Sequence, residues 1–215
     1  TIVGNEANDT ILGGAGNDDL DGGAGDDSIL GGSGADVLDG STGNDTLSGQ
    51  GGKDTLIGGE GDDVFQWNAV GDGDDEVSSV DGFDQMQITA TNGADTVSVG
   101  KLGPRVQVTS GANVLTVNPN IHVISIDLGA GDDLATVGDL SGVAQTVLTI
   151  NGGDGNDTLD ASAGVLGDVR LRLNGNGGND RITGSANEDT IDGGDGRDTL
   201  LGGAGNDTIF GGADN

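Results

Sequence analysis

Aspartate returns every nine residues at Asp9, Asp18, Asp27, Asp36, Asp45, Asp54 and Asp63. Two residues after each stands an apolar side chain: Ile11, Leu20, Ile29, Leu38, Leu47, Leu56 and Phe65. The chain has no Cys and a single His, so carboxylates and backbone carbonyls are the chemistry this pattern offers. An all-oxygen shell is hard, and six or more oxygens at adaptable distances suit Ca²⁺ better than Mg²⁺.

Positioning those carboxylates requires a turn and a strand in each unit. The clearest units read GGAGNDDLD (13–21), GGAGDDSIL (22–30) and GGSGADVLD (31–39). The glycine-rich six residues must bend sharply and aim carbonyls inward, which residues tolerating positive φ do most cheaply. The next three residues form a short strand whose central apolar side chain points inward. Two strands and two turns close one coil of eighteen residues. Each turn then stacks on the turn eighteen residues later, about 4.8 Å away. Carboxylates are thereby paired: Asp9 with Asp27, Asp18 with Asp36, Asp27 with Asp45, Asp36 with Asp54, Asp45 with Asp63. At roughly 5 Å such a pair repels by nearly 1 kcal/mol even in water, so a line of them needs a cation.

Repeats return near the C-terminus as GNGGNDRIT (175–183), GSANEDTID (184–192), GGDGRDTLL (193–201) and GGAGNDTIF (202–210), with an isolated GGDGNDTLD at 152–160. Between the blocks, alternating segments begin at Met86, Val106, Val123, Val147 and Val169, and these predict strands. Turn-like segments ending at Asp75, Asp95, Asn113, Asp133, Asp157 and Asp180 predict that the column Asp18, Asp36, Asp54 runs on through the middle. The opposite column resumes only at Asp189 and Asp207, with unrelated turns such as DGFD (81–84) and ASAGVLGD (161–168) in between. The expected fold is all-β: one parallel β-roll or β-helix solenoid with two short strands per coil and wider, irregular coils in the middle. The expected organisation is repeats over 1–67, degenerate coils over 68–150 and repeats over 151–215. The competing architecture is two rolls flanking a small β-sandwich.

Composition narrows the function classes. Thirty-seven acidic residues against 7 basic give a net charge of −30, which leaves no basic patch for nucleic acid. With 46 Gly and 2% aromatic residues a thick core is excluded, and without a period such a chain would be disordered. Lacking Cys, an extracellular form must be stapled by metal. No membrane-length apolar run is present, and Thr1 opens no signal-peptide pattern. The absent Met and the final GGADN (211–215), partway through a repeat, predict an excerpt of a longer protein.

The G-G-x-G-x-D-x-U-x register resembles that of the RTX (haemolysin-type) calcium-binding nonapeptide-repeat family, whose fold is the β-roll. The resemblance implies that each ion takes the Asp and alternate carbonyls of one turn and the complementary set of the turn stacked on it. In one N-terminal column this implicates Gly14, Gly16 and Asp18, then Gly31, Gly32, Ser33, Gly34 and Asp36, then Gly49, Gly51 and Asp54. In the other it implicates Asp9, then Gly22, Gly23, Ala24, Gly25 and Asp27, then Gly40, Thr42 and Asp45, then Gly58, Glu60 and Asp63. Toward the C-terminus it implicates Asp133, Asp157 and Asp180, then Ser185, Asn187 and Asp189, then Gly193, Asp195 and Asp198, then Gly202, Ala204 and Asp207. Ala7 and Asn187 depart from the fourth-position Gly, and Ser41, Gln50 and Ser185 from the second; the turn at Ala7 is expected to fray. Asp133 stands in an isolated GAGDD, where a solvated turn competes with a metal ligand, and the imperfect turns at Asp75 and Asp95 are expected to be solvated loops.

His122 is expected to face solvent on a strand, Trp67 to cover apolar surface where the coil changes shape, and Arg170, Arg172 and Arg181 to compensate acidic loops. No catalytic cluster is legible in the sequence. The function expected is therefore non-enzymatic: a secreted or cell-surface calcium-binding module that folds when extracellular Ca²⁺ neutralises its aspartates, a logic that in the family accompanies type I secretion. The partners expected are calcium ions, without nucleic acid or membrane insertion and with an unspecified cell-surface or polysaccharide partner. The rival readings are an adhesin or surface-layer scaffold, or an accessory part of a polysaccharide epimerase or lyase. An ice-binding face is disfavoured by the irregular outward series Ala15, Ala24, Ser33, Thr42, Gly51 and Glu60.

Overall fold

The computed structural model describes residues 1–214 apart from 145 and 165; Val165 of the 161–168 turn and Asn215 of the terminal GGADN lie outside the described residues. The N-terminal strands are β1 (Ile2–Val3), β2 (Thr10–Ala15), β3 (Asp19–Ala24), β4 (Ser28–Gly34), β5 (Val37–Thr42), β6 (Thr46–Gly52), β7 (Thr55–Glu60) and β8 (Val64–Asn68). The middle holds β9 (Glu76–Ser78), β10 (Asp84–Thr89), β11 (Thr96–Leu102), β12 (Arg105–Ser110), β13 (Asn113–Val117), β14 (Ile121–Asp127) and β15 (Leu134–Val137). The chain closes with β16 (Val147–Asp154), β17 (Thr158–Asp160), β18 (Arg170–Gly177), β19 (Arg181–Thr183), β20 (Asp189–Asp195), β21 (Thr199–Leu201) and β22 (Thr208–Phe210).

Consecutive strands alternate between two sheets, the signature of a solenoid. One sheet runs β2-β4-β6-β8-β10-β14-β16-β18-β20-β22 and is parallel throughout. The other runs β1-β3-β5-β7-β9-β13-β12-β11-β15-β17-β19-β21. The stack is thus continuous from the first repeat block to the last, without a separate sandwich. The eighteen-residue coil is visible in the register, with Ile11 beside Ile29, Leu20 beside Leu38, and Leu38 beside Leu56.

The middle departs from the parallel expectation in one place. β11, β12 and β13 form an antiparallel meander within the second sheet, with β13 parallel to β9 and β11 parallel to β15. Short β-branched strands joined by the tight turns Gly103–Pro104 and Gly111–Ala112 pair with each other more readily than they cross the coil.

One apolar residue per strand fills the narrow repeats: Leu20, Ile29, Leu38 and Leu47 are fully buried. From β8 onward the first sheet carries a second inward row, in which Trp67, Ile88, Ile126, Ile150, Leu173 and Ile191 align strand to strand. Trp67 opens this row and is buried where the coil widens, which matches the cover expected of it. At about 1.5–3 kcal/mol per buried side chain, these ladders are what a coil with so few aromatic residues relies on. Among the described residues no helix is long and apolar enough to cross a membrane.

Candidate metal centre

The stacked turns place the aspartates in two lines, each member bonded to the next in the same way. In the first line the amide of Asp18 donates to Oδ1 of Asp36 at 2.8 Å, Asp36 to Asp54 at 2.8 Å and Asp54 to Asp75 at 2.8 Å. The line resumes with Asp95 to Asp133 at 2.7 Å, Asp133 to Asp157 at 2.9 Å, Asp157 to Asp180 at 2.8 Å and Asp180 to Asp198 at 2.9 Å. In the second line Asp9 donates to Asp27 at 2.7 Å, Asp27 to Asp45 at 2.8 Å, Asp45 to Asp63 at 2.9 Å and Asp63 to Asp84 at 3.0 Å. Asp189 and Asp207 form a further pair at 3.1 Å.

This arrangement satisfies one oxygen of each carboxylate and leaves the other. Oδ2 of Asp18, Asp27, Asp36, Asp45, Asp54, Asp84, Asp133, Asp157 and Asp180 is buried without a hydrogen-bond partner. A buried unpaired carboxylate oxygen is costly unless a cation or proton answers it. The first-position glycines show where that cation would lie. A Cβ on Gly31 would meet Oδ2 of Asp36 at 2.6 Å and the carbonyl oxygen of Gly49 in the next coil at 2.7 Å, so oxygens from two coils converge there. Among the described residues no three Asp, Glu or His side chains gather into a metal site by themselves. The oxygens must come from carboxylate and backbone together, as a hard cation with many ligands accepts.

Burial drives the carboxyls toward the neutral form. Loss of solvation raises Asp45, Asp63 and Asp157 to about 6 and Asp75 to about 7, opposed by the amide each accepts and reinforced by neighbouring carboxylates. Asp54, Asp84, Asp133, Asp180 and Asp189 are raised for the same leading reason. His122 offsets this in part at Asp84, but the raised carboxyls elsewhere in the columns have no such basic neighbour among the described residues, so without a cation the column is charge-frustrated.

The family model of the RTX calcium-binding nonapeptide repeat (4 copies) matches residues 1–29, 30–65, 149–165, 172–200 and 192–215, together more than half of the chain. The chain belongs to the RTX calcium-binding nonapeptide-repeat family. No curated protein matches it. The unpaired oxygens and the oxygen-lined first positions fit the calcium that RTX repeats bind, in a β-roll module whose family is structural rather than catalytic.

Not every RTX turn leaves its second carboxylate oxygen unpaired. Where the fourth-position Gly is replaced, the carboxylate closes onto its own turn: Oδ2 of Asp9 accepts the amide of Asn5 at 2.9 Å, and Oδ2 of Asp189 accepts the amide of Ser185 at 2.6 Å. The Ser185 hydroxyl is engaged inside this turn, on Asp189 and on the amide of Asn187, while the side-chain oxygen of Asn187 accepts the amide of Leu166 from the preceding coil. Ser41 and Gln50, by contrast, hold the positive φ of the glycines they replace, at 72° and 66°.

Several expectations are corrected. Asp75 is not a solvated loop residue; it is 4% exposed and continues the first line. Asp95 likewise bonds into that line. Asn113 does not, because it opens β13 and donates its side-chain amide to the carbonyl of Ala69 at 3.1 Å. The DGFD turn is not unrelated, since it carries Asp84 into the second line. His122 is half-buried rather than solvent-facing: its ring stacks on Phe83 with centroids 5.1 Å apart, and its Nδ1 lies 3.4 Å from the amide of Asp84. Among the described residues the ion pairs are Lys101 with Asp139 at 2.8 Å and Arg105 with Glu76 at 2.7 Å; Arg170 lies near Asp84 and Asp168, and Arg181 helps hold Asp160 low, after Ser162.

A ladder that sequence reasoning passed over runs beside the aspartates. Fifth-position Asn and Asp side chains accept the amide of the next coil's fifth residue, as Asp26 does from Asn44 at 2.9 Å and Asn156 from Asn179 at 3.0 Å. The recurrence of Asn or Asp before the column aspartate was its signal.

Proposed function

We propose that this chain is a non-enzymatic, calcium-dependent folding module of a secreted or cell-surface protein, and that its fold and its ion binding are one event. The observation that carries this reading is the row of buried Oδ2 atoms without partners, repeated turn after turn. Each needs a charge that the protein itself does not supply, because the chain holds 37 acidic residues against 7 basic. In low calcium the chain stays unfolded and passable through a narrow export channel; outside, calcium neutralises the columns and the coils close. Affinity per site belongs to the weak extracellular class, on the order of 0.1 to 1 mM, sharpened by stacking of neighbouring coils. Residues 1–67 and 151–215 are the repeat rolls where ion-driven closure concentrates, and residues 68–150 are degenerate coils that continue the same stack between them.

The test is circular dichroism during calcium titration, with magnesium as control. A steep conversion from disorder to β-structure with calcium and not with magnesium is the expected outcome. A chain already folded in chelator at neutral pH, and unchanged by calcium, overturns the reading.

A further inference from the structure

The DGFD turn lies outside the residues that the family model matches, and its first two positions, Ser79 and Val80, are not glycine. Its geometry is nonetheless that of a repeat turn. Gly82 takes φ of 100°, and a Cβ on it would overlap the carbonyl oxygen of Gly61, just as a Cβ on Gly61 would overlap that of Gly43. The amide of Phe83 donates to Oδ1 of Asp62 at 2.7 Å, which repeats the fifth-position bond of Asp62 to Asn44 at 2.8 Å. The amide of Asp63 donates to Oδ1 of Asp84, and Oδ2 of Asp84 is left buried and unpartnered in a residue that is 0% exposed.

What differs is the far side. In the repeats another glycine-rich turn covers each carboxylate. Beyond Asp84 the chain supplies Pro119, Asn120 and His122 instead, and a cavity of about 590 Å³ opens between this turn and Asp168 and Arg170. Asp84 lines that cavity with Asp81 and Asp168, three carboxylates against the one guanidinium of Arg170. The lining is therefore net negative around a buried oxygen with no partner.

We propose that the Ser79–Asp84 turn holds a further calcium ion of the second column, outside the nonapeptide repeats, and that this ion faces the cavity with coordination positions left to water or to an oxygen-bearing ligand. The proposal rests on the calcium reading of the repeats. It assigns Asp84 as a ligand, with the backbone of the turn supplying carbonyls as in the repeats, and it places an ion beside a solvent-filled cavity within the length of the column rather than at its ends.

The experiment uses the full chain. Calcium bound at saturation is counted by equilibrium dialysis for the wild type and for Asp84→Asn, with circular dichroism to establish that both are folded. Asp84→Asn should bind one ion fewer, and under direct excitation of bound europium it should lose a component whose lifetime in H₂O and D₂O reports several coordinated waters. Equal ion counts and equal lifetimes in the two proteins overturn the proposal. Should the variant fail to fold, anomalous maps from europium-loaded wild-type crystals decide: a peak beside Oδ2 of Asp84 supports the site, and peaks confined to the repeats overturn it. A wild type that takes up no calcium at all defeats the functional reading instead.

Discussion

Asp45 accepts the amide of Asp27 at 2.8 Å through one carboxylate oxygen and keeps the other buried without a partner. The same carboxyl therefore has one neutral partner and no cationic one, which ties the fold to the proton as well as to calcium.

Acid should partly replace the metal. Burial raises Asp45, Asp63 and Asp157 to about 6 and Asp75 to about 7, above the value of 3.8 for a free carboxyl. The folded chain then binds more protons than the unfolded one, so this contribution is full below about pH 4 and is lost as pH rises through 6 to 7. In excess chelator, the β-signal should increase from pH 7.5 to pH 4.5. A β-signal that falls on acidification would contradict the burial assigned to these groups.

Turns with open carboxylates should matter more than those closed on themselves. Asp36→Asn removes an unpaired buried Oδ2 and should lower calcium uptake and shift the folding midpoint to higher calcium. Asp9→Asn alters a carboxylate already bonded to Asn5 and should shift the midpoint much less. Parallel titrations followed by circular dichroism compare the two.

Glycine is needed for shape at some positions and not at others. At Gly34 φ is 139°, and a methyl would overlap the carbonyl oxygen of Gly16; at Gly51 it would stand 3.6 Å and 3.7 Å from its nearest neighbours. Gly34→Ala should destabilise the calcium-loaded chain by more than about 1 kcal/mol, while Gly51→Ala should leave it nearly unchanged. Denaturant unfolding at fixed calcium separates them.

Phe65 ends the single-row core and begins the double one, and it is fully buried. Phe65→Ala should cost about 3–5 kcal/mol. Because coils contact only their neighbours, hydrogen exchange should accelerate first in β6, β8 and β10, which flank or contain the vacancy.

Much of this was legible in the residues. The nine-residue period fixed the coil, and the interval of eighteen predicted which aspartates stack, as Asp27 on Asp45 does. Asp75 was placed in its column, as the structure has it, but read as solvated, and Asp84 escaped altogether, because their intervals from Asp54 and Asp63 are 21 residues and their turns begin with Val70 and Ser79 in place of glycine. The backbone recovers the same bond from different side chains, which a motif cannot report. The meander of β11, β12 and β13 escaped for another reason: alternation of apolar and polar residues sets which face of a strand is buried, and it is the same whether the neighbour runs parallel or antiparallel. His122 was misplaced because it is the extra residue of a bulge, left between Ile121 opposite Asp84 and Val123 opposite Gln85, and its ring stacks on Phe83.

The same meander leaves one sheet with 12 strands and the other with 10. At about 4.8 Å per strand the longer wall gains some 10 Å over the shorter. The shorter wall has no such insertion, and its parallel pairing runs unbroken past the same point through β8, β10, β14 and β16. The two repeat blocks are therefore joined by direct strand-on-strand stacking along one wall and through three antiparallel-linked strands along the other.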